Sequence, residues 1–222
     1  QAGKESSLNL GYLFVNKRSH AKNFYNPDQG YGVNTKIKRT LKYGNFDYMK
    51  IDLDLYINKK LGPFSLYTRH RFESIHGNDF PNQEELGIFN ISNFYLMGSQ
   101  TPGREYMSPR GYNGKPRKGK NAYMGSVELR APVLPLNVVE VLKFINFGRP
   151  TVALISDFAD AWTLGDKRQK LIIQAGAELR FSILLTTLPV LTFSYGWAQS
   201  IEDYRNNVIP NSYFQLTLIN PF

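Results

Sequence analysis

The sequence predicts an all-β protein, an antiparallel transmembrane β-barrel of about nine to ten strands. Three observations carry that prediction. Apolar and polar residues alternate with period two along most of the chain, and helical periodicity is almost absent. Several alternating runs are longer than the roughly five or six residues usual in soluble sheets, and long enough to cross a bilayer when tilted. Short turns also alternate with long polar connections, the asymmetry of an outer-membrane barrel.

Taken in order, strands are expected at 7–18, 31–43, 46–59, 64–74, 121–132, 150–162, 170–184, 189–199 and 211–222. In the third, Ile51, Leu53, Leu55 and Ile57 share one face, and Asp52, Asp54, Tyr56 and Asn58 the other. In the seventh, Ile173, Ala175, Ala177, Leu179, Phe181 and Ile183 alternate with Gln174, Gly176, Glu178, Arg180 and Ser182. In the fifth, Tyr123, Val127 and Leu129 alternate with Ser126, Glu128 and Arg130. A soluble sandwich would turn the charged face to water. A barrel would turn it to the lumen, where the mixed signs pair across strands while the apolar face meets lipid. Gly44-Asn45, Leu61-Gly62-Pro63 and Leu185–Leu188 read as turns, and 75–120 and 200–210 as long loops. The apolar segment 137–147 fits either a strand extension or a short interfacial helix. Tyr12, Tyr43, Tyr48, Trp162, Tyr195 and Trp197 lie near strand ends and suit interfacial girdles.

Composition narrows the chemistry. The 222 residues form a single expected domain, 1–222, and contain no apolar run long enough for a transmembrane helix. The absence of Cys excludes disulfides, thiolate chemistry and Cys-ligated zinc. His20, His70 and His76 show no metal-ligand spacing, and no nucleophile, phosphate-loop or dinucleotide motif occurs. Neither metal, cofactor nor catalytic residue is expected. The net charge of +9 invites a nucleic-acid reading, and much of it falls in Arg104, Arg110, Lys115, Arg117, Lys118 and Lys120. A solvated loop is the favoured reading of these, and no nucleic-acid partner is expected. The first residues, Gln1-Ala2-Gly3-Lys4, have no apolar core, so a leader has been removed or the chain is a piece of a longer one.

Within the longest loop, Ser108-Pro109-Arg110-Gly111-Tyr112-Asn113-Gly114 stands out. By itself an Arg-Gly-aromatic triplet is an ordinary exposed turn. Its neighbours, in order, resemble one family. Asn23-Phe24-Tyr25-Asn26-Pro27-Asp28-Gln29-Gly30-Tyr31 looks like a Pro-x-x-Gly turn between barrel strands. Asn93-Phe94-Tyr95-Leu96-Met97-Gly98-Ser99 looks like an aromatic-Gly-Gly-Ser lead-in, with Met97 for the first Gly. Ser126–Arg130 resembles the following strand, and Ile155–Trp162 the one after, with Ala159 where Gly is usual. Ala175–Phe181 and Pro189–Trp197 continue the match. Together they resemble the C-terminal barrel of the bacterial surface antigen superfamily, which includes the outer-membrane barrel-assembly and two-partner-secretion transporters.

The resemblance implies a non-enzymatic barrel in the outer membrane, assisting insertion or translocation of proteins there. Its partners would be outer-membrane lipid and client or partner outer-membrane proteins. The loop 75–120 would fold inward so that Arg110, with Gly111 and Tyr112 at the tip, meets Glu128 and Asp157 as a latch. The last strand, with Phe214, Leu216, Leu218 and Phe222, would form one side of a weakly paired seam with the first. The family barrel has sixteen strands, so this chain would supply its C-terminal half, and the family's periplasmic domains are absent. An odd strand count leaves two open edges. Either a second polypeptide completes the barrel or 86–98 adds a tenth strand and a small barrel closes. A passive barrel that anchors another module is the alternative role.

Overall fold

The computed structural model describes residues 5–18, 29–41, 43–88, 94–97, 108–133, 139–142, 145–148, 150–166, 169–185, 188–206 and 209–218. The long strands are β1 (Ser7–Arg18), β2 (Gln29–Thr40), β3 (Asp47–Leu61) and β4 (Phe64–Asp79). Three short ones follow, β5 (Leu86–Ile88), β6 (Phe94–Met97) and β7 (Arg117–Gly119), and then β8 (Asn121–Pro132). The chain continues through β9 (Val139–Leu142), β10 (Ile145–Phe147), β11 (Thr151–Trp162), β12 (Ile172–Leu185), β13 (Leu188–Ser200) and β14 (Asn211–Leu218). One five-residue helical turn, Ile201–Arg205, precedes β14.

All nine expected strands form, close to their expected limits. β4 runs on to Asp79, so the long loop starts later than residue 75. The apolar segment 137–147 contributes β9 and β10 rather than a helix, and β10 extends the sheet beside the end of β12. Phe222 lies outside the described residues.

The principal sheet follows the order β1-β2-β3-β4-β8-β11-β12-β13-β14-β6. Its first nine strands are antiparallel neighbours, whereas β6 adds to β14 in parallel, Phe214 to Thr217 opposite Phe94 to Met97. A tenth strand therefore comes from within 86–98, but it does not close the sheet. β1 and β6 remain its two ends, and no pairing among the described residues joins them. The physical reason is directional. With nine strands alternating in direction, β1 and β14 run the same way and cannot form an antiparallel closing ladder. The expected closed barrel is replaced by an open sheet.

Burial along the strands is inverted relative to a soluble sheet. On β11, Thr151, Ala153, Ile155 and Asp157 are buried, while Val152 and Leu154 are exposed, Leu154 to 62%. On β12, Gln174 and Glu178 are buried and Leu179 and Phe181 exposed. The inner face, on which the long loop packs, thus carries the charges, and the outer face carries the large apolar side chains. The loop brings its own apolar contribution to one end of that face. β5 pairs with β7, and Leu86 and Ile88 of β5 pack with Tyr48, Ile75, Ala122, Ala159, Ala161 and Ile172 from the sheet. Tyr48 is fully buried there, which removes it from the expected interfacial girdle. Tyr12, Tyr195 and Trp197 remain exposed.

Candidate functional site

The loop reaches the site through a tight turn. Pro109 is buried and fixes the approach, and the Tyr112 amide donates to the Pro109 carbonyl at 3.2 Å. Gly111 has φ +70°, and a Cβ there would lie 2.8 Å from the Ala198 Cβ on β13. Both the left-handed backbone and the close approach require glycine. From β14, Asn211 Nδ2 donates to the Gly111 carbonyl at 3.0 Å. Tyr112 packs against the inner apolar cluster and its hydroxyl donates to the Lys115 carbonyl at 2.7 Å.

This turn delivers Arg110 to the inner face, where its side chain is 14% exposed. The guanidinium lies across three strands. Nε donates to Asp157 Oδ2 at 2.8 Å and Nη2 to Asp157 Oδ1 at 2.6 Å, a two-pronged contact with β11. The Arg110 backbone amide adds a third bond to Asp157 Oδ2 at 2.9 Å. Nη1 donates to Glu128 Oε1 on β8 at 2.8 Å and to Glu178 Oε2 on β12 at 3.2 Å. Nη2 also reaches Ser126 Oγ at 2.6 Å, and that hydroxyl donates onward to Asp157 Oδ1 at 2.8 Å.

A second ring of groups completes the charge balance. Arg130 Nε donates to Glu128 Oε2 at 2.7 Å, and its guanidinium lies 4.0 Å from the Tyr67 ring centre. Arg180 pairs with Glu128 Oε2 at 2.8 Å and with Glu178. The Tyr213 hydroxyl on β14 donates to Glu178 Oε2 at 2.7 Å. Arg110, Arg130 and Arg180 thus face Glu128, Asp157 and Glu178, three cations against three anions. Equal numbers matter because an uncompensated buried charge is costly, whereas a matched, fully hydrogen-bonded set is tolerated. Burial alone disfavours a charged Arg110, but the carboxylates of Asp157, Glu128 and Glu178 outweigh it and hold the guanidinium well above its ordinary pKa. Arg110 is charged at every accessible pH.

The two carboxylates expected opposite Arg110, Glu128 and Asp157, are therefore both in contact with it. Sequence reasoning does not bring Ser126, Arg130, Glu178, Arg180 or Tyr213 into the cluster. Glu178 had been assigned to the polar face of its strand, but its place opposite Ala153 depends on the β11–β12 register. Phe214 lies opposite Tyr195 on β13, and Leu216 and Leu218 occupy register positions opposite Phe193 and Leu191. The far edge of β14 is taken by β6, not by β1.

Elsewhere in the loop, Arg117, Lys118 and Lys120 are engaged. Arg117 pairs with Asp160 at 3.4 Å, Lys118 with Glu85 at 2.6 Å, and Lys120 Nζ donates to the Gly77 carbonyl at 2.8 Å. No group of His, Asp and Glu arranged to hold a metal occurs among the described residues. No family model matches the chain, and no curated protein matches it. Chemically, the site holds a loop in place. Its ionised groups neutralise one another, and Ser126 Oγ bridges Arg110 and Asp157.

Proposed function

We propose that this chain is an outer-membrane β-barrel, or the C-terminal portion of one, of the surface antigen superfamily, and that it assists insertion or translocation of proteins at that membrane without enzymatic activity. One observation carries the proposal: Arg110, from the tip of the longest loop, lies in a neutralised carboxylate cluster on the charged face of a sheet whose other face is apolar. That combination is the one a lumen and a lipid exterior favour. A latched loop then controls access to the inner face, and the outer residues Leu154, Leu179, Phe181 and Trp197 meet lipid.

The unjoined ends at β1 and β6 favour a second reading, in which the sheet is completed by another polypeptide and serves as a passive anchor. Reconstitution in liposomes with an unfolded client barrel separates the two. Assisted insertion predicts faster client folding than in protein-free liposomes, and no gain supports the passive role. Recovery of the chain in the aqueous phase without detergent would sink both.

A further inference from the structure

The loop makes a second charged contact, remote from Arg110. Between β4 and β5 a single helical turn, Asn82–Glu84, directs Glu84 toward β2 and β3. There Lys38 and Lys50 are direct cross-strand partners on the inner face. Like charges directly opposite each other destabilise a ladder unless an anion lies between them. Glu84 supplies it, with Oε1 accepting from Lys38 Nζ at 2.7 Å and Oε2 from Lys50 Nζ at 3.4 Å. Other carboxylates also face the pair, and of these Glu73 is shared with Arg71. Glu5 lies 2.6 Å from Lys38, and Glu73 and Asp52 lie 3.4 and 3.9 Å from Lys50.

We propose that Glu84 is a second positioning residue of the loop, and that the Lys38–Lys50 pair is its docking site. The loop is then held at two points of opposite polarity on opposite parts of the sheet. Arg110 enters acids on β8, β11 and β12, and Glu84 enters bases on β2 and β3. Between these two points in the sequence, β5 pairs with β7 and packs Leu86 and Ile88 into the apolar cluster of the sheet. Each contact orders its own segment, so the loop loosens in two halves. The inference rests on the reading of the loop as a latch.

Amide hydrogen exchange on the folded, detergent-solubilised protein tests it, and needs no client insertion, so failure of the transport role leaves this test intact. Glu84→Gln is expected to speed exchange across 80–88 at least tenfold while leaving 108–114 within twofold of the parent. Arg110→Ala is expected to do the converse. Raising salt to about 1 M, where the screening length is about 3 Å, should speed exchange at 80–88 in the parent but add nothing in Glu84→Gln. Glu84→Asp should recover part of the protection, which a purely steric role would not provide. Unchanged exchange at 80–88 in Glu84→Gln overturns the proposal. So does simultaneous release of both segments by either single variant.

Discussion

At the scale of single residues, the site depends on one planar cation that satisfies three carboxylates in three directions. Lysine has the same charge but no fork, so it can serve as a point charge without the two-pronged contact to Asp157. Removing one partner of a buried ion cluster costs about 3–5 kcal/mol, because the remaining charges lose compensation. Glu128 and Glu178 would keep Arg130 and Arg180, whereas Asp157, fully buried, would keep only Ser126 Oγ and the backbone amide of residue 110. We therefore expect Arg110→Ala to expose 108–119 to limited proteolysis, Arg110→Lys to give an intermediate rate, and Asp157→Asn to approach the alanine variant. Equal cleavage in parent and Arg110→Ala would remove the latch from the account.

At the scale of elements, the described parts of the loop meet the sheet at two charged points, Glu84 and Arg110. Its acidic end responds to pH. Burial alone would raise the Glu84 pKa, but Lys38 and Lys50 outweigh it and hold the carboxyl below its ordinary value of 4.5. A depressed folded-state value means the stabilisation is complete above the ordinary pKa and is lost as pH falls through the lower, folded one. Protection of 80–88 should thus be flat from neutral pH down to about 5 and decline below about 4.5, measured by exchange with intrinsic rates corrected for pH. A decline centred above pH 6 would contradict this assignment. In Glu84→Gln the acid-dependent loss at this segment should be reduced.

At the scale of the whole molecule, the inverted burial makes a prediction that no local contact can make. Leu154, the fourth of the twelve residues of β11, lies on its exposed outer face. In water, replacing an exposed leucine by arginine is nearly neutral. If that face meets lipid, Leu154→Arg is destabilising by up to about 2–4 kcal/mol, the midplane cost, and by less toward an interface. Folding equilibria in liposomes should show that loss, and a neutral result would place the outer face in contact with water or protein. The open ends of the sheet belong to the same scale. β6 covers four residues of the β14 edge in parallel, while the outer edge of β1, which carries exposed Leu8, Leu10 and Leu13, pairs with no strand among the described residues.

Much of this architecture is legible in the chain because alternation is a local property. The parity of Ile51–Asn58 and Ile173–Ser182 assigns faces without knowledge of any partner strand, and Arg110, Glu128 and Asp157 were legible through motif order. Other features depend on residues distant in sequence. Glu178 joins the cluster only through the β11–β12 register. Glu84 finds Lys38 and Lys50 only after a helical turn aims it across the sheet, and Tyr48 is buried only because Leu86 and Ile88 fold back over it. The sequence by itself determined the strands, their two faces and the arginine worth following. The tertiary structure decided which carboxylates meet, where the loop docks and that the sheet stays open. Those outcomes depend on register and strand direction, which the period-two pattern within one strand does not encode.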